Sequence, residues 1–542
     1  MIVASAGPLV QRHQEARGRK PPDPAARRSR ESSPAVSPQF PQFPERIPAR
    51  TAGRLEAIVK AVTGRSPTPG GRAAPAPGGP AADPGALRRA HRALVAVCAA
   101  FAVLAAVLVP ITLPLGWDEL VYASRFAPHG PETPFSAPRT RGVPLLLLPV
   151  ASWSDSTVLL RIWLLALSAA ALYLGFRPWL RILPRPSAAW VAAALYGSGW
   201  LALFYANAAM PNHYSAMGAL AAVGCFLHRR PGAAGYAGVV AGLALVTLMR
   251  PNEGVAVAAP LLVAAVAVPA WRGRGRLAAV AGGVAAGALP WVVEAQLRFG
   301  GVAQRLAEAS EVQGDLRPVV TLTAHLTALD GPLLCRPCAG DAVRPPALEW
   351  WLLLGTLAVL GLWAARRAGT GTAPLWLAVA VAASATVPYF FLVPYAAPRF
   401  LLPGYALLAV PAALGLLAAA DPARRSRAVA AVLALVLVGH LAVQLTLAHV
   451  HGGIQEQARE DWRRITAVLR EHGVRPPCVV KASRMTIPLA HTAGCASAEY
   501  DAPELPDAVI LHRAEPPRWA RDWPVHPVPD TYNPGWTVAV RP

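Results

Sequence analysis

Two acids stand side by side at Asp118 and Glu119, inside the stretch "TLPLGWDELVYASRF" at residues 112–126 that follows the first long apolar run. An ionised carboxylate beside hydrocarbon is costly, and such residues persist where a polar cavity or a reaction uses them. A carboxylate in that setting can take the proton of a hydroxyl nucleophile. Arg399, in "YAAPRFLLPGY", and Arg250, in "LMRPNEGV", lie next to later apolar runs; a guanidinium suits phosphate because its planar donors hold two oxygens together. Asn212 and His213 in "MPNHYS", with Tyr122 and Glu253, supply groups able to hydrogen-bond ligand hydroxyls. Each assignment has a plainer competitor. Acids are favourable at helix starts, so the pair would cap an interfacial helix. Arg399 would snorkel at headgroup level. Arg250 and Glu253, three residues apart, would form a local ion pair of about a few tenths of a kcal/mol. A lone His is more often structural than functional. Arg139 and Arg141 are either headgroup contacts or loop charges, and Arg161, inside an apolar run, must pair or face a cavity, with Asp155 as the expected partner.

The elements that position these residues are membrane spans. The chain has 542 residues, 54% hydrophobic and 15% charged, with a mean hydropathy of +0.37. Candidate crossings fall at 93–114, 157–176, 188–206, 211–227, 233–249, 254–271, 277–297, 348–364, 374–394, 400–420 and 428–448, each near the length that spans a bilayer core. The piece "GVPLLLLPVAS" at 143–153 is too short and reads as re-entrant or interfacial. Residues 1–91 are rich in Pro, Ala, Gly and Arg without an apolar face, the composition of a disordered tail. No apolar core of a cleavable signal lies near Met1.

Arginines orient the chain. "FRPWLRILPRP", "HRR", "WRGRGR", "AARR" and "DPARRSR" occupy five alternate loops, and the basic tail shares their side. The positive-inside rule then places the tail in the cytoplasm and everything after residue 449 outside a plasma membrane. The net charge of +21 therefore belongs to topology and not to nucleic-acid binding. The outer face receives Asp118–Glu119, the "MPNHYS" and "LMRPNEGV" turns, the loop 298–347 and Arg399. Residues 450–542 read as a small extracytoplasmic α/β domain: "QEQAREDWRRITAVLREHG" is helical with a Gly stop, and "CVVKAS", "DAVILHR" and "WTVAVRP" are strands. Cys478 and Cys495 fall there, where an oxidising setting permits a disulfide. Cys335 and Cys338 form a CxxC without the further ligands a zinc site needs, and fit a disulfide or redox-sensitive pair. Cys98 and Cys225 lie within spans as inert core residues.

The acidic pair after the first span, the aromatic of "WDELVY", the following Arg and the "GVPLL" segment together resemble the GT-C superfamily. These are integral-membrane glycosyltransferases that use polyprenyl-phosphate sugars. "DSTVLLRIWLLALSAAAL" and "YAAPRFLLPGYALLAVPA", with Phe400 where the family has Tyr, extend the likeness to the protein O-mannosyltransferases and lipid A aminoarabinose transferases over about residues 93–450. The resemblance implies an all-α polytopic GT-C-like domain over 92–449. It implies transfer of a mannose-like sugar or pentose, with inversion, from a polyprenyl-phosphate donor to an envelope glycan, lipid or secreted protein. Asp118 would be the general base, with Glu119 orienting it or touching acceptor or metal; Arg399 and Arg250 would hold the donor phosphate. No DxD motif is present, so the sequence requires no cofactor and gives a divalent metal no support. The competing class is a secondary transporter or lipid flippase. Such carriers often show internal repeats and mid-depth polar sites, and this sequence displays neither.

Overall fold

The computed structural model describes residues 83–228, 231–336, 345–500 and 502–542; the N-terminal tail lies outside them. Helix α1 (Pro84–Leu108) starts where the Asp83 carboxylate accepts from the Gly85 and Ala86 amides, with Pro84 filling the first helical position. Two short helices follow, α2 (Trp117–Ala123) and α3 (Gly142–Ala151). The latter falls on the short apolar piece at 143–153.

The bundle continues with α4 (Thr157–Phe176), α5 (Ser187–Gly197), α6 (Trp200–Tyr205), α7 (Asn212–Phe226), α8 (Ala233–Met249), α9 (Pro251–Ala267) and α10 (Arg274–Arg298). Helices α11 (Val302–Val312) and α12 (Leu322–Thr327) occupy the long loop, and α13 (Pro345–Arg367), α14 (Ala373–Phe391), α15 (Leu402–Ala423) and α16 (Arg427–Glu471) complete the helical part. Among the described residues, seven helices are long and apolar enough to cross a bilayer, and shorter apolar helices stand among them. This is a multi-pass membrane protein.

Two differences from the expected spans matter. The crossing expected at 188–206 is broken at Ser198–Gly199 into α5 and α6, and the freed Trp200 N–H donates to Gln444 Oε1 at 2.9 Å. A Gly/Ser pair is a usual site for such a break. Second, α16 is one helix of 45 residues, so the domain boundary drawn at 450 falls within a single rod. Its first half presents Val432, Leu435 and Val438 outward, whereas α15 is buried at the centre of the bundle.

Small residues set how closely the helices approach. A Cβ on Gly361 of α13 would sit 1.9 Å from the Pro411 carbonyl, and one on Gly415 of α15 would sit 2.0 Å from the Leu357 carbonyl. Backbone contact through small residues is how apolar helices associate where water supplies no hydrophobic drive.

After α16 the chain forms a five-stranded sheet in the order β2-β1-β3-β5-β4. Its strands are β1 (Val479–Ala482), β2 (Ala496–Ser497), β3 (Ala508–His512), β4 (Val525–Pro527) and β5 (Trp536–Val540). The three expected strands are β1, β3 and β5. Strand β3 pairs parallel with β1 and antiparallel with β5. Trp462, Ile465 and Leu469 of α16 and Leu489 of α17 (Thr486–Ala493) cover one face over Val480, Ile510 and Val538. Cys478 and Cys495 are disulfide-bonded, with Cα atoms 4.7 Å apart. Of the CxxC, Cys335 is buried and Cys338 lies outside the described residues.

Replacing Gly415 by Val is expected to cost about 1–3 kcal/mol or more through overpacking, read as a lower thermal midpoint in detergent. Gly355→Val, on the facing α13 but with open space around it, should leave the midpoint unchanged.

Candidate active site

The two adjacent acids have separate fates. Glu119 turns inward and is 5% exposed. Its Oε1 accepts from Arg161 Nη1 at 2.6 Å and from the Ala209 amide at 2.9 Å. Its Oε2 accepts from the Gly116 amide at 2.7 Å, Arg161 Nη2 at 3.1 Å and Arg459 Nη1 at 3.3 Å. Burial opposes its ionisation, yet Arg161, then Arg459 and the Gly116 N–H, hold the carboxyl down at about 2. With every lone-pair direction in use, Glu119 has nothing left for acceptor or metal, and of its expected roles the orientation of Asp118 is the one this geometry allows. The capping alternative describes it well, because it closes the first turn of α2 onto Gly116. Arg161 pairs with Glu119 and not with Asp155 as expected, since α4 carries it to 1% exposure beneath α2.

Asp118 faces the open side, its side chain 34% exposed. Arg139 Nη2 donates to Oδ1 at 2.8 Å and Arg399 Nη2 approaches Oδ2 at 3.5 Å. Desolvation pushes the carboxyl up, but the charges of Arg139 and Arg399 outweigh it and keep Asp118 below its ordinary value of 3.8. Residues 118 and 399, 281 apart in sequence, thus meet at one point. Arg399 also donates to the Leu333 carbonyl at 3.0 Å, and its buried Nε has no partner among the described residues.

Arg250 joins this cluster through a shared ring: the guanidinium carbons of Arg250 and Arg399 lie 4.4 and 5.3 Å from the Phe400 centroid. Arg139 lies 5.4 Å from the ring of Tyr122. Three arginines, one carboxylate and the phenol of Tyr122 therefore line one polar site at the head of α2.

Glu253 was expected to bind substrate. It is instead 1% exposed and accepts from Arg250 Nε at 3.0 Å, from Tyr389 Oη at 2.7 Å and from Ser215 Oγ. It holds Arg250 in place from behind. The local-pair reading of "LMRPNEG" is the geometric fact, though burial makes the pair weightier than a surface one.

His213 is also corrected. It is wholly buried, hydrogen-bonded to Tyr196 Oη and the Ser168 carbonyl at 3.1 Å each, and stacked on Phe101 at 5.6 Å. Asn212 differs: it is buried, yet neither amide heteroatom has a partner among the described residues. It lies one turn before Ser215 on the same face of α7.

Four residues contribute that the sequence did not assign to the site. Arg139 reads from sequence as a headgroup contact or a loop charge, and the structure pairs it with Asp118. Arg459 was hidden in a charged amphipathic run. Arg305 and Glu294 gave no signal at all. Arg305, 0% exposed, donates to the Ala137 and Arg139 carbonyls at 3.0 and 2.9 Å and to Glu294 at 2.9 Å. It moulds the loop that presents Arg139. No group of three or more His, Cys, Asp or Glu side chains suited to a metal occurs among the described residues.

No family model matches the sequence, and no curated protein matches it. Solved structures do. ArnT from Cupriavidus metallidurans, in its undecaprenyl-phosphate-bound and apo states, superposes with a TM-score of 0.57 in each case. The alignment covers 82% of this chain and 97% of ArnT at 13% identity. The chain shares the fold of ArnT. Within that fold, the short α2 after the first span and the arginine ahead of α15 meet through Asp118 and Arg399.

Arg161→Met is expected to cost about 3–5 kcal/mol, because it strips a buried carboxylate of its closest partner; unfolding in detergent measures it. Glu119's pKa is depressed from 4.5 to about 2. Its stabilisation is therefore complete above about pH 4.5 and is lost as pH falls toward 2. Glu119→Gln should flatten the stability–pH curve across that window.

Proposed function

We propose that this protein transfers a sugar from a polyprenyl-phosphate donor to a hydroxyl acceptor on the extracytoplasmic side of the plasma membrane. The tail would lie in the cytoplasm and the C-terminal domain outside. The observation that carries the reading is the meeting of Asp118 with Arg139 and Arg399, an accessible carboxylate ringed by arginines at the edge of an apolar bundle. The shared fold with a protein crystallised with undecaprenyl phosphate adds to it.

In this reading Asp118 Oδ takes the acceptor hydroxyl's proton while that oxygen attacks the anomeric carbon. The bond from the anomeric carbon to the phosphate oxygen breaks with inversion. The departing phosphate gains charge, which Arg399 and Arg250 hold through paired N–H donors. Tyr122 and Asn212 contact the sugar. A mannose-like sugar or pentose fits the residue resemblance, and the acceptor is an envelope glycan, lipid or secreted protein.

The low basicity of Asp118 at rest fits the same scheme. The arginines that depress its pKa are those that would meet the donor phosphate. Once an anionic phosphate takes their charge, the carboxylate becomes a stronger base. Proton removal is thus coupled to donor occupancy.

Asp118→Asn should lower transfer of radiolabelled sugar from defined polyprenyl-phosphate donors about 100-fold or more, with folding intact. Equal transfer by both forms would remove the base assignment, and no transfer from any donor would favour a carrier without bond chemistry. The acid limb of kcat/KM, which reports the free enzyme, should fall below the ordinary carboxylate range. That of kcat should lie at higher pH.

A further inference from the structure

Glu119 is neutralised by one arginine and yet receives two. Arg161 alone balances the charge and supplies donors to both carboxylate oxygens. Arg459 arrives from α16, 340 residues away in sequence, and is itself only 8% exposed. Burying a second guanidinium costs desolvation that one carboxylate does not repay, so electrostatic neutrality does not account for it.

What it fastens does. Arg459 donates to the Pro114 carbonyl and to Gln455 Oε1 as well as to Glu119. It grips both the chain entering α2 and the first turn of α2. A Cβ on Gly116 would lie 2.8 Å from Arg459 Nη2, so only glycine there admits the guanidinium this close to the backbone. Two residues on, Asp461 is 1% exposed and accepts from the Tyr532 and Asn533 amides at 2.7 and 2.9 Å. That ties the same turn of α16 to the loop before β5. From the other side, Ile487 of α17 packs on the cluster containing Leu115, Leu120 and Tyr122.

We infer that the C-terminal domain is a working part of the Asp118 site, with Arg459 the positioning residue that fixes α2, and through it Asp118, relative to the arginines of the bundle. A domain that merely capped the membrane surface would need no buried ion pair to the acid next to Asp118. The kinetic half of this inference rests on the glycosyl-transfer reading; the conformational half does not.

The test uses the full-length protein in lipid nanodiscs, comparing wild type with Arg459→Met, Arg459→Lys and Arg463→Met. Arg463 lies on the same helix with its side chain 65% exposed. Amide hydrogen exchange is followed over residues 112–126, and sugar transfer is followed from a synthetic undecaprenyl-phosphate sugar. Arg459→Met should speed exchange across α2 about tenfold or more. It should lower kcat about tenfold while donor KM stays within about threefold. Arg459→Lys should recover part of both losses, and Arg463→Met should match wild type. Should Arg459→Met fail to fold, Gly116→Ala, which crowds the same guanidinium, carries the comparison in the same direction. Wild-type exchange over α2 together with wild-type kcat in a folded Arg459→Met protein overturns the inference. Faster exchange in a preparation whose wild type transfers no sugar upholds the positioning role and removes the glycosyl-transfer reading instead.

Discussion

The buried carboxylate of Glu119 is the fixed point of this molecule. An acid placed at the edge of an apolar bundle must be compensated or discharged, and here compensation draws on four separate parts of the chain. Arg161 comes from α4, the Ala209 amide from the turn before α7, the Gly116 amide from the entry to α2, and Arg459 from the far half of α16. The two arginines also satisfy further groups, Arg161 reaching the Leu113 and Asn207 carbonyls at 3.1 and 2.8 Å and Arg459 the Pro114 carbonyl. A network closed this way has few alternative arrangements. The short helix α2, with too little hydrogen bonding of its own to persist alone, is held by it.

Once α2 is fixed, its adjacent residue Asp118 is presented outward at a set position, and the remaining cations are supported from behind in the same manner. Glu253 and Tyr389 back Arg250, Glu294 and Arg305 shape the loop bearing Arg139, and the Leu333 carbonyl steadies Arg399. The site thus has an inner layer of fully paired charges and an outer layer that keeps capacity to spare. That spare capacity is clearest at Asp118, whose side chain is 34% exposed.

The bundle supplies the stiffness this arrangement needs. Helices α13 and α15 touch through Gly361 and Gly415, and α15 delivers Arg399 at its head. The continuous rod of α16 carries the membrane packing directly into the sheet domain, with no hinge between them.

Length, hydropathy and the spacing of apolar runs determined much of this protein from sequence alone: a helical membrane bundle, a short apolar helix over 142–151, and a C-terminal module with strands at 479–482, 508–512 and 536–540. These are local properties, set by burial periodicity and by lengths matched to a bilayer. Asp118, Arg399 and Arg250 were legible as candidates because an ionisable residue beside hydrocarbon is rare enough to stand out. Which of two adjacent acids turned inward was not legible, since Asp118 and Glu119 differ by one methylene and only the positions of Arg161 and Arg459 separate them. Nor was the reach of Arg459 across 340 residues. Charge pairing depends on distances between elements, and those distances exist only after the helices have packed.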